Sequence, residues 1–176
     1  MTVTYPRTKP AGAARRGERM RRRGELAQRR AARWLAAYSV DMLRISLGVV
    51  FLAFGALKFF PGISPAEELA VRTIETLTLG VVPGAAALLL TAIMESIVGL
   101  TLLTGKLLRT GLVVLGVSLI GIMSPLVLFF TDLFPGAPTL EAQYVFKDIV
   151  LAAAGLVVAA RALGARLVTR ERIHQP

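Results

Sequence analysis

Four apolar stretches, at residues 39–60, 83–104, 108–131 and 142–163, decide what this chain can fold into. Each holds about 22 residues, and at 1.5 Å per residue a helix of that length is about 33 Å long, the thickness of a bilayer's hydrocarbon core. Strands fit poorly, because the stretches lack alternation of period two and are rich in Ala, Leu and Gly. With 55% hydrophobic residues and a mean hydropathy of +0.63 over 176 residues, too little remains for a soluble domain. The expected fold class is all-α: an integral membrane four-helix bundle with an amphipathic interfacial helix between spans one and two.

Charge placement orients the bundle. Residues 1–33 hold eleven Lys or Arg against Glu18 and Glu25. The link between spans two and three carries Lys106 and Arg109, and the end of the chain carries Arg161, Arg166, Arg170 and Arg172. The intervening loops carry Glu67, Glu68, Glu75, Asp132 and Glu141 against Arg72. Lys and Arg are retained on the cytoplasmic side, so the chain is expected to be a multi-pass protein of the cell membrane with both termini cytoplasmic. It divides into a basic N-terminal tail (1–37), a four-span membrane region (38–165) and a C-terminal tail (166–176). The first tail is read as a topology determinant resting on an anionic inner leaflet, helical between Glu18 and Trp34. Nucleic acid is disfavoured as a partner, since no folded binding module accompanies the basic run. A cleaved signal peptide is disfavoured too: the tail is long and polar, and no small-residue cleavage site follows.

Between the first two spans, Ser64, Pro65 and Glu67 form a capping-box pattern that opens an amphipathic helix ending near Gly80. Such a helix lies along the outer interface as a lid. Thr104 to Arg109 is a tight hairpin. Pro125 falls inside the third span and should kink it, with Ser124 placed to bond the carbonyl that proline leaves free.

Charges inside the spans are the candidates for function. Arg44, Gly48, Phe51, Gly55 and Lys58 follow at steps of four, three, four and three, so they form one stripe on a helix. A stripe of small and charged residues faces other helices rather than lipid. Glu95 sits near the middle of span two, on a face with Gly84, Leu88, Thr91 and Gly99. It is either a proton relay and anchor for a polar ligand or half of an ion pair with Arg44 or a lysine. The chain uses Arg seventeen times and Lys four, yet two of the four, Lys58 and Lys147, fall in spans near the outer end. They either snorkel to headgroups or meet partners, for which Asp148, Glu67 and Glu68 are at hand. Arg44 has Asp41 three residues earlier as its simplest partner. Phe59 and Phe60 are placed to line an apolar slot of the kind that suits a quinone ring.

Absences narrow the chemistry. There is no cysteine, and the one histidine, His174, is in the C-terminal tail. Disulfide chemistry, iron–sulfur clusters, bis-histidine haem and His/Cys zinc sites are therefore not expected, and no covalent cofactor is either. A redox role requires an organic carrier such as quinone, or a partner redox protein.

The pattern R-x-x-L-G-x-x-F-x-x-x-G-x-x-K-F at Arg44 to Phe59, the Pro61-Gly62 turn, Glu95 in span two and QYVFKDIVLAAAGLV at Gln143 to Val157 together resemble the DoxX-like family of small four-span membrane proteins. The resemblance covers residues 40–163. It implies a four-helix bundle associated with membrane redox processes; one branch resembles the small subunit of thiosulfate:quinone oxidoreductase, and others are linked to oxidative-stress complexes. The lack of cysteine counts against a thiol-based role here. Three readings follow. The first is a redox subunit binding an apolar carrier near Lys58, Lys147, Asp148, Phe59 and Phe60, with Glu95 relaying a proton; if it is an enzyme, it is a membrane-bound oxidoreductase subunit acting with a partner. The second is a scaffold docking a soluble enzyme. The third is a proton-coupled transporter, which at four spans would need a homo-oligomer.

Overall fold

The computed structural model describes residues 11–64 and 67–165, with side chains from Glu18 onward in the first helix. Pro65, expected at the start of the interfacial helix, and the tail from Arg166 lie outside the described residues. Among the described residues, seven helices follow one another: α1 (Ala11–Leu57), α2 (Glu67–Leu77), α3 (Gly84–Thr104), α4 (Leu108–Met123), α5 (Pro125–Leu128), α6 (Phe130–Leu133) and α7 (Leu140–Ala162). No strand occurs among the described residues. Among the described residues, three segments are long and apolar enough to cross a membrane: Glu18–Leu57, Gly84–Thr104 and Leu108–Leu128. The fourth bundle helix, α7, has a similar length of 23 residues, with Glu141, Lys147 and Asp148 gathered in its first three turns. The architecture is an all-α membrane helical bundle.

The chain divides into two compact units, Met1–Ser39 and Val40–Pro176. In the first, the helix begins at Ala11, and every residue from Glu18 to Ser39 is exposed. Arg21 and Glu25 pair at 3.5 Å one turn apart, and the Trp34 and Tyr38 rings meet at 5.6 Å.

In the second unit, all four long helices contribute to one core, built on Leu47, Phe51, Val98, Leu102, Leu115 and Val158. A second cluster, with Leu69, Phe129, Leu133, Ala142 and Val145, joins α2 to the end of the bundle where α7 starts. Glycine lets α1 approach α3. A Cβ on Gly99 would stand 2.6 Å from the Leu52 backbone nitrogen, one on Gly55 2.9 Å from that of Ser96, and one on Gly48 3.1 Å from the Gly99 carbonyl. Small residues at such crossings replace side-chain layers with direct backbone contact, which is how helices associate where no hydrophobic effect separates them from lipid.

The break after α4 has a local cause. Pro125 has no N–H for the carbonyl of Gly121, and the Ser124 hydroxyl donates to that same oxygen at 2.7 Å. The chain then continues as the short turns α5 and α6, separated at Phe129. Thr139 caps α7, its hydroxyl accepting from the Ala142 N–H at 3.1 Å. The hairpin between α3 and α4 turns on Gly105 (φ 70°), whose N–H returns to the Thr101 carbonyl. In the link before α2, the Glu67 carboxylate accepts from the Gly62 N–H at 2.7 Å, five residues back, rather than from Ser64 as a capping box requires.

Candidate functional site

The stripe on α1 is the face turned to α3, and its two cations end in different places. At one end Arg44 donates from Nη1 to the carbonyl of Leu102, with the Leu103 carbonyl at 3.4 Å and Asp41 at 3.8 Å. Those carbonyls belong to the last turn of α3, which has no intrahelical donors left for them, so the guanidinium closes that helix end. Arg44 thus serves α3 and Asp41, about 21 Å along α1 from Lys58, and takes no part in the site at the other end.

At that other end Lys58 Nζ lies 2.7 Å from Oε1 and 2.6 Å from Oε2 of Glu95, with both side chains buried. Helix geometry brings them together: side chains tilt toward the N-terminus of their own helix, and α1 and α3 run in opposite directions, so the two lean toward each other. Gly55, one turn before Lys58, brings the α1 backbone against Glu95 Cβ. A buried carboxylate and ammonium each carry a heavy desolvation cost, offset here by their mutual contact.

This pair borders a cavity of about 390 Å³ beneath α2. Phe51, Phe54, Leu69, Met94, Val117 and Val145 give it apolar walls from five helices. The charged groups lining it are Lys58, Glu95 and Asp148. Asp148 is half-buried and makes no hydrogen bond or ion pair with the described residues. Ser118 also lines the cavity, and its buried hydroxyl finds no partner among them.

The remaining sequence candidates lie outside. Lys147 is exposed, its ammonium 5.2 Å from the Tyr144 ring; one residue from Asp148 on a helix, it faces away from the cavity. Phe59 and Phe60 occupy the turn after α1, 45% and 61% exposed, and the aromatic wall comes instead from Phe51 and Phe54. Neither Glu67 nor Glu68 pairs with a lysine among the described residues. Ser118 does not stand out in the sequence, where a hydroxyl in mid-span is its one signal.

α2 roofs the cavity with Leu69, Ala70, Thr73 and Ile74. Its outer side is tied down by Arg72, which pairs with Asp132 at 2.7 Å and lies 4.1 Å over the Phe129 ring.

No curated protein and no solved structure resembles the chain significantly. The DoxX family model matches residues 39–131, which hold Lys58, Glu95, Ser118 and the roof helix and stop short of Asp148. That match spans more than half of the 176 residues, so the chain belongs to the DoxX family.

Proposed function

We propose that this DoxX-family membrane protein is a subunit of a membrane redox complex and holds an apolar, quinone-like carrier in the cavity beneath α2. The observation that carries this reading is the cavity itself: about 390 Å³ of apolar space ending on a small set of charged side chains, Lys58, Glu95 and Asp148. Ligand sites are mostly apolar hollows in which a few polar groups fix orientation, and a ring with oxygens at its edge suits such a space. The walls would hold the ring and exclude water.

The proposed location is the cell membrane, with both termini in the cytoplasm and α2 at the outer face. The positive charge of residues 1–33 and of the α3–α4 hairpin supports that orientation. Anionic headgroups are the proposed partner of the exposed Arg-rich stretch. Electron exchange would require a second redox protein.

Gly121 offers a direct test. It lines the cavity, and nothing stands within 4 Å of where its Cβ would be. Gly121→Leu therefore fills the space without forcing a helix apart. Protein purified in mild detergent is extracted, and bound apolar molecules are identified by mass spectrometry. The reading requires a ring-bearing carrier in the native protein and its loss in Gly121→Leu; equal amounts in both would overturn it.

A further inference from the structure

The polar groups of the cavity divide into two sets. Both carboxylate oxygens of Glu95 are engaged by Lys58, at 2.7 and 2.6 Å, so this pair satisfies itself. The Ser118 hydroxyl, buried and without a partner among the described residues, and the half-buried Asp148, which makes no hydrogen bond or ion pair with them, line the same space. A buried polar group without a partner costs stability, and a hydroxyl or carboxyl kept in an apolar hollow is matched by what enters it.

The spacing of the two groups limits that occupant. α4 and α7 are antiparallel: Leu115 shares a cluster with Val158, while Phe129 and Leu133 share one with Ala142 and Val145. Gly155 faces Leu115 and Leu119, which puts Ser118 near the level of Gly155. Asp148, seven residues before Gly155, lies about 10 Å nearer the α2 end at 1.5 Å per residue. Because side chains lean toward the N-terminus of their helix, Ser118 leans away from α2 and Asp148 toward it, so the two diverge. One ligand atom cannot reach both. Allowing about 2.8 Å for each hydrogen bond, the gap that remains is about the width of one ring.

Resting on the carrier-binding reading above, we infer that Ser118 and Asp148 hold the two polar edges of a flat apolar ligand, and that the edge at Asp148 carries a hydroxyl. The carboxylate of Asp148 accepts from that hydroxyl; the Ser118 hydroxyl donates to the oxygen on the opposite edge. Lys58 and Glu95 form the fixed side of the cavity rather than the point of attachment. The site is thereby selective for the diol form of a ring over its O-methylated form, which lacks O–H groups.

The test uses the full chain in detergent, under anaerobic conditions, with tetramethylhydroquinone and its dimethyl ether as probes in equilibrium dialysis. The ether keeps the ring and loses both donors. The native protein should bind the diol about tenfold or more tightly than the ether, the factor expected for a hydrogen bond to a charged acceptor. Asp148→Leu should erase the preference, Asp148→Asn should reduce it, and Ser118→Ala should weaken both probes by a few-fold, as loss of one neutral hydrogen bond implies. Equal binding of diol and ether, or an undiminished preference in Asp148→Asn, would overturn the inference while leaving the cavity as a carrier site. Binding of neither probe, or binding that survives Gly121→Leu, would overturn the carrier site as well.

Discussion

Lys58 Nζ contacts both carboxylate oxygens of Glu95, at 2.7 and 2.6 Å, and together they make the one buried ion pair joining α1 to α3 among the described residues. In such a pair each charge is tolerable only because the other is present. Lys58→Met or Glu95→Gln alone should lower stability by about 3–5 kcal/mol, as for other buried pairs broken from one side. Replacing both by apolar residues of similar volume should recover most of that loss. Thermal unfolding in detergent of the two single variants and the double variant checks this; losses that simply add would show that the residues are not coupled.

The close crossing of α1 and α3 makes a second prediction. A methyl on Gly99 would lie 2.6 Å from the Leu52 nitrogen and 2.8 Å from its Cα, and backbone cannot move aside as a side-chain tip can. Gly99→Ala should cost about 1–3 kcal/mol through overpacking. Gly116 has nothing within 4 Å of its would-be Cβ, so Gly116→Ala should be neutral or gain up to about 1 kcal/mol from helix propensity. The same chemical change should thus have opposite signs at two mid-helix positions, read by thermal unfolding.

How much of this was legible in advance depended on whether a feature is local. The four apolar stretches, the stripe that starts at Arg44 and the break at Pro125 depend on residues within a few turns, and each appears close to where periodicity and proline chemistry put it, although α1 ends at Leu57, one residue before Lys58. Even the use of Ser124 for the orphaned Gly121 carbonyl follows from one residue's offset. The partners of the charged residues were harder. Arg44 could be assigned to Asp41 from spacing, but its bond to the end of α3 depends on the α1–α3 crossing. An apolar stretch that runs to residue 60 puts Phe59 and Phe60 on the helix, but the helix ends at Leu57 and the turn that follows swings both rings out. Lys147 and Asp148 are neighbours in sequence, yet a rotation of about 100° per residue separates their surroundings.

The tie between α2 and the bundle should matter for motion more than for stability. Arg72 and Asp132 are each about half exposed, so their pair is worth at most about 1 kcal/mol, and the contact of Arg72 with the Phe129 ring adds a similar amount. Arg72→Ala should leave the unfolding midpoint within a few degrees of the native value. Amide exchange in Leu69–Leu77 should quicken by about tenfold, because opening α2 alone loses those contacts. Raising salt should have a smaller effect of the same sign in the native protein and little in the variant, since screening acts on the ion pair. Exchange that rises uniformly across all helices would instead mean that Arg72 stabilises the whole bundle.

At the opposite end of α1, Arg44 makes a different kind of contact, and substitution should separate geometry from charge. Its guanidinium serves the carbonyls of Leu102 and Leu103 together with Asp41, a set that a planar fork of donors can reach and a single ammonium cannot. Arg44→Met leaves those carbonyls without their donor in a half-buried site and should cost about 1–3 kcal/mol. Arg44→Lys keeps the charge next to the C-terminal end of α3 but loses the fork, so it should recover only part of that loss. Amide exchange localises the effect: Arg44→Met should loosen the last turn of α3 and Gly105 while the N–H groups around Glu95, at the other end of the stripe, keep their protection. If Arg44→Lys matched the native protein in both measurements, the arginine would be acting as a positive charge alone, and the hydrogen bonds to α3 would carry no stability of their own.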